Sequence, residues 1–328
     1  MKLPSTARKR TGLPPILGLL LLSGLWAISS LSSDLLPHLS EDSLSPSLRQ
    51  AALFSVFASI AGGIAVARGL KFPRGRFALA CCAIGLGLFV LPSVLASLAQ
   101  GAISALDRVA VFSLTPVFAV VLQPYLQDGP PARGTTALAG SMCAVAGILF
   151  VFPLDIPGSF HAVAALFALV AAALGIAATN CFAVRLARYC ADGSILPMAA
   201  QAGASSAVCF AIAGVITHPP AGRWNVLLPA VLVPFAIDLP ALFLLFWLMR
   251  HLAASRMTAR FLLAPLFTIL AGTALQPGSP PARAWLGMAL LTAGAGWLVF
   301  APAEETNGSE LNLLSAPIAE SPRLLPPG

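Results

Sequence analysis

Ten apolar segments, each about as long as a bilayer is thick, follow one another along the chain. They cover approximately 14–33, 50–67, 77–98, 109–126, 136–152, 161–183, 195–217, 226–249, 257–275 and 284–301. A hydrocarbon core of about 30 Å takes about twenty helical residues to cross. Strands of a membrane barrel would instead alternate apolar and polar over about ten residues, and these runs do not alternate. Only 9% of the residues are charged and 58% are hydrophobic, against roughly a quarter charged in a soluble domain. That composition excludes a soluble enzyme, a disordered chain, a coiled coil and a nucleic-acid binder. The expected fold class is an all-α polytopic membrane protein with ten transmembrane helices.

Charge placement sets the expected topology. Lys2, Arg8, Lys9 and Arg10 precede the first span, which reads as an uncleaved first helix because it is longer than a signal-peptide core and nine spans follow. With the N-terminus in the cytoplasm, fifteen of the nineteen Lys and Arg residues fall inside; Arg49, Arg108, Arg223 and Arg283 fall outside. The positive-inside rule therefore puts both termini in the cytoplasm of a cell (plasma or inner) membrane protein. Residues 1–13 are a cytoplasmic tail. Residues 302–328, polar and rich in Ser and Pro, are expected to form a disordered cytoplasmic tail.

The chain also resembles itself at half length. Thr115-Pro116-Val117-Phe118 matches Ala264-Pro265-Leu266-Phe267, Leu126-Gln127 matches Leu275-Gln276, and Pro130-Pro131-Ala132-Arg133 recurs at 280–283. Gly140 and Gly147 then align with Gly287 and Gly294, and Pro92 aligns with Pro240. Shared Leu or Ala would mean little between apolar helices; shared prolines, glycines and a tetrapeptide in one register mean more. Residues 14–152 and 161–301 read as two copies of a five-helix unit, joined by a linker at 153–160. Because five is odd, the copies cross the membrane in opposite senses. This inverted repeat predicts a pseudo-two-fold axis in the membrane plane and a midplane site open to either side in turn.

These features together, the ten spans, the repeat and the pattern of Pro, Phe and paired Gly, resemble the drug/metabolite transporter superfamily of the EamA-domain type over residues 14–301. The chain carries Trp26-Ala27 where the family has Trp-Gly. The resemblance implies a secondary transporter for a small metabolite: an amino acid or related cationic or zwitterionic compound, or an exported drug. It also implies that the first, third, fourth, sixth, eighth and ninth helices line the cavity. With no nucleotide fingerprint and no metal-ligand spacing in the chain, neither cofactor nor metal is expected. The expected partners are a small-molecule substrate, the lipid bilayer and protons as a coupling ion, without nucleic acid, in a monomer or homodimer. A membrane-embedded enzyme acting on a lipid or membrane peptide, and a non-transporting scaffold or sensor, are the alternative readings.

Among candidate site residues Asp238 stands out. It lies mid-span between Pro234 and Pro240, and a carboxylate at the bilayer centre costs at least about 2.5–3.5 kcal/mol. It must face a wet cavity, carry a proton or pair with a cation; alignment puts the apolar Val90 opposite it in the other half. Asn180 and Thr179 lie on the sixth span, as cavity or helix-packing groups. Trp26, Ser29 and Ser30 lie on the first and Gln123 on the fourth. Arg256 and Arg260 open the ninth span one turn apart, either to attract an anion or to set topology and snorkel to the interface. Gly85 and Gly87 read as close-packing positions. The six cysteines read as small apolar packing residues.

Overall fold

The computed structural model describes residues 13–35, 45–126, 134–154, 158–189, 195–217, 227–275 and 281–300. Among them every regular element is a helix and none is a strand. Both terminal tails lie outside the described residues.

Helix α1 runs Leu13–Leu35 and α2 Pro46–Ala67. Ser45 caps α2, accepting from the Leu48 N–H at 3.3 Å, and Pro46 opens its first turn. The third span is composite: α3 (Arg76–Gly85), a π turn (Leu86–Val90) and α4 (Leu91–Leu98). In the π turn the Leu91 N–H bonds to the Leu86 carbonyl, five residues back. Pro92 has no N–H to give the Leu88 carbonyl, and its ring crowds that carbonyl, so the ladder slips just before it. The fourth span breaks between α5 (Ala105–Phe112) and α6 (Thr115–Leu126). Ser104 and Asp107 cap α5: the Ser104 hydroxyl donates to the Asp107 carboxylate at 2.6 Å, while the Asp107 N–H donates back at 3.1 Å. Helices α7 (Gly134–Val151), α8 (Phe160–Tyr189), α9 (Ile195–Thr217) and α10 (Leu227–His251) follow. A short α11 (Ala254–Thr258) precedes α12 (Arg260–Leu275), and α13 spans Ala282–Phe300.

Eight of these segments are long and apolar enough to cross a membrane. The other two expected spans are helices as well: α7, with a shorter apolar stretch at 136–151, and the 25-residue α10. The outer surface is apolar; Leu79, Phe167 and Val66 are 71%, 70% and 68% exposed. A soluble monomer does not show such a surface, whereas a bilayer solvates it. The chain is a multi-pass all-α membrane protein.

Small residues fill the interior and let helices approach closely. The most extensive pairings are α2 with α9 and α7 with α13; α6 and α4 pack on α8, and α12 and α10 pack on α1. Across α7 and α13, Gly147 lies against the backbone of Gly287 and Leu291, while Gly294 lies against that of Gly140 and Ala144. Gly85 presses on the α9 backbone at Ala202, and a Cβ at Gly87 would meet Thr179 Cγ2 at 3.0 Å. The close-packing reading of these two glycines is therefore correct. An aromatic cluster locks α10 to α2: Phe57 meets Phe243 at 4.9 Å and Phe246 at 5.7 Å, and Phe54 meets Phe89 of the π turn at 4.6 Å. This cluster fixes the helix that carries Asp238.

Candidate functional site

Helix α1 sits between α10 and α12, and each presents one charged residue to it. Asp238 of α10 is partly buried and accepts a hydrogen bond from Ser29 of α1, with the Arg49 cation of α2 contributing electrostatic attraction. Arg260, the first residue of α12, is 2% exposed. Its guanidinium carbon lies over the Trp26 ring of α1 at 5.0 Å and over its neighbour Phe261 at 4.9 Å. The Trp26 and Phe261 rings are 6.2 Å apart, at 51° to one another. Ser29 lies three positions after Trp26, a rise of about 4.5 Å. One face of α1 thus carries a positive pole at Trp26 and a negative pole at Ser29.

The two poles differ in how well they are satisfied. Asp238 has a hydroxyl donor and feels the attraction of the Arg49 charge. Arg260 Nε and Nη1 are buried without hydrogen-bond partners. Cation–π attraction to two rings offsets part of the desolvation, but it leaves those N–H donors unmet. A buried donor without a partner costs about 1–3 kcal/mol, more when charged.

The other candidates are placed as follows. Asn180 is fully buried; its Nδ2 donates to the Ile176 carbonyl at 2.7 Å and its Oδ1 has no partner. Thr179 donates to the Gly175 carbonyl at 2.7 Å and packs on Gly87. The Asn180 Nδ2 and the Thr179 hydroxyl thus both donate back along α8, and the Asn180 Oδ1 stays open. Ser30 is exposed and donates to the Ala27 carbonyl at 2.9 Å; Ser29, one residue earlier, is the one that reaches Asp238. Gln123 is half-buried on α6 and joins neither pole.

Arg256 and Arg260 correct one expectation. They do not sit a turn apart on a single helix. The helix breaks at Ala259, whose N–H bonds to the Arg256 carbonyl three residues back, so Arg256 closes α11 and Arg260 opens α12. Neither snorkels to water: Arg256 is 9% and Arg260 2% exposed. The contact of Phe261 with Arg260 and Trp26, and the pull of the Arg49 charge on Asp238, were not expected. Adjacency to Arg260 is the one sequence signal that marked Phe261, and Arg49 looked like a loop charge. None of the five described cysteines is joined in a disulfide, and Cys181 points its Sγ at the Ala119 carbonyl, 3.7 Å away.

No protein-family model matches the chain, and no curated protein matches it. One solved crystal structure, named only as that of a protein, superposes with a TM-score of 0.65 at 18% identity, covering 88% of this chain and 98% of its own. The likeness is one of fold: nearly the whole of that chain shares this helical arrangement.

Proposed function

We propose that this chain is a secondary transporter akin to the EamA-type drug/metabolite transporters. In this reading ten helical spans form two inverted five-helix repeats, both termini face the cytoplasm, and a small amino-acid-like compound crosses the cell membrane by alternating access. The observation that carries the reading is the convergence of Asp238 and Arg260, from two helices of the second half, on one face of α1 in the first half. A substrate site at the interface of two halves, near mid-depth, is what alternating access needs.

The helix pairings support the repeat. Exchanging each helix for its counterpart turns the α6–α8 contact into α12–α1, and α4–α8 into α10–α1; the α2–α9 and α7–α13 pairs map onto themselves. The glycines do the same. Gly140 meets Gly294 and Gly147 meets Gly287, and the aligned pairs 140/287 and 147/294 interchange these two contacts. Residue numbers rise along one helix as they fall along the other, so α7 and α13 are antiparallel. A two-fold axis relating antiparallel helices lies across them, in the membrane plane.

The proline alignment places Val90 opposite Asp238 and Val111 opposite Arg260. The scaffold closes with valines at these positions in one half, so the charges in the other half serve something besides folding. Asp238 is the group suited to a positive part of the substrate or to a coupling proton. Untargeted metabolite profiling of cells with and without the chain tests the proposal. At least one charged small metabolite redistributes across the membrane when the chain is present, and Asp238→Asn abolishes the difference. Identical profiles with the chain inserted in the membrane would refute transport.

A further inference from the structure

We infer that Arg260, Trp26 and Phe261 form an anion subsite that takes a single carboxylate of the transported molecule; the inference rests on the transport reading for its biological meaning but not for its geometry. Arg260 is almost completely buried, yet two of its guanidinium nitrogens lack any hydrogen-bond partner. Two aromatic rings within 5.0 Å of its Cζ hold the cation in place without consuming those donors. An arginine needed only for topology would extend to the interface, and one needed only for structure would be met by a carboxylate or carbonyl of its own chain. This one is held, desolvated and left with open donors, which is the arrangement an incoming oxyanion completes.

The charge count selects the class of anion. The open donors belong to one guanidinium, which balances one negative charge. A carboxylate matches it; a phosphate dianion leaves a charge over in a low-dielectric site and lies on the same helix face as the Asp238 pole. With Asp238 at the other end of that face, the substrate that uses both poles carries a carboxylate towards Trp26 and a cationic group towards Ser29.

The test measures binding by the purified full-length chain, independently of transport. Thermal unfolding is followed in detergent with propionate, its neutral amide propionamide, and inorganic phosphate, at matched ionic strength. Propionate raises the melting temperature saturably; propionamide and phosphate do not. Arg260→Gln weakens the propionate response about ten- to a hundredfold, the span one charge-assisted hydrogen bond carries. Without ligand it melts at or above the wild-type temperature, because a buried cation with open donors has been removed. Trp26→Leu keeps the position apolar but removes the ring, stays folded and weakens the propionate response as well. A wild type indifferent to propionate, a response that survives Arg260→Gln, or a ligand-free Arg260→Gln that melts well below wild type overturns the subsite. A phosphate response larger than that to propionate overturns the carboxylate assignment. Chain-dependent metabolite movement with no propionate binding removes the subsite and leaves transport standing; Arg260-dependent binding with unchanged metabolite profiles does the reverse.

Discussion

Adding a single methyl group at Gly147 probes the α7–α13 contact directly. A Cβ there would lie 2.6 Å from the Gly287 carbonyl oxygen and 2.9 Å from Leu291 Cα. An ordinary carbon-to-carbonyl contact is about 3.3–3.6 Å, so the helices must part by several tenths of an ångström. The obstructing atoms are backbone, so no rotamer change relieves the clash. Overpacking of this kind costs about 1–3 kcal/mol, offset by up to about 1 kcal/mol from the better helix propensity of Ala. Gly147→Ala should therefore destabilise by about 1–2 kcal/mol. Its repeat counterpart Gly294 meets the same obstruction, 2.5 Å from the Gly140 oxygen and 2.9 Å from Ala144 Cα, so Gly294→Ala should cost about as much. Gly63 and Gly296 have nothing within 4 Å of an added Cβ; Ala there should be neutral or stabilising by up to about 1 kcal/mol. Reversible unfolding in mixed micelles ranks the four variants. If Gly147→Ala is as benign as Gly296→Ala, the close-contact argument fails. If Gly147→Ala and Gly294→Ala differ by more than about 1 kcal/mol, beyond ordinary site-to-site scatter, the symmetry argument fails.

Other outcomes follow from the same geometry. Asp238→Asn retains an acceptor for Ser29 and removes a costly buried charge, so it should insert and fold normally while transport falls at least about tenfold; full transport in a well-expressed variant would remove Asp238 from the site. Gly85→Ala forces a methyl to within 2.8 Å of the Ala202 carbonyl carbon and 2.7 Å of Ser205 Oγ, and should lower the melting temperature, whereas Gly24→Ala, with open space around it, should not. In a background with the native cysteines replaced, Gly158→Cys should react with a membrane-impermeant maleimide on intact cells and Arg74→Cys should not, since the charge bias puts residue 74 inside; the reverse pattern would invert the topology.

Element type was legible because apolar runs this long leave helix as the one way to satisfy the backbone in lipid. Asp238 and Arg260 were legible as charges that an apolar run has to account for. Facing directions were harder. Ser29 and Ser30 are adjacent, and a 100° step decides which one meets Asp238. In the linear chain Asn180 and Thr179 read as either cavity or packing groups; each has a carbonyl of its own helix four residues back within reach and donates to it, while Asn180 Oδ1 stays without a partner. The break at Ala259 falls in Met257-Thr258-Ala259-Arg260, with neither Gly nor Pro to mark it. The cage around Arg260 joins residues more than two hundred positions apart, and no local pattern announces such a meeting.

Helix lengths carry a consequence for the surrounding lipid. At 1.5 Å per residue, the 18 described residues of α7 reach about 27 Å and the 30 of α8 about 45 Å, against a hydrocarbon core of about 30 Å. The long helix must lean or push its ends into the headgroups. Beside the short one, α13 shows outward-facing Trp285 and Trp297, each 57% exposed and about 18 Å apart along the axis. Indole rings settle at the level of the headgroups, so a bilayer that meets both rings is thinner along this edge than the length of α8 calls for. Such a protein feels acyl-chain length at one side of its perimeter, where the glycine-bound pair sits, and bilayers of longer lipids load mechanical tension onto that seam first.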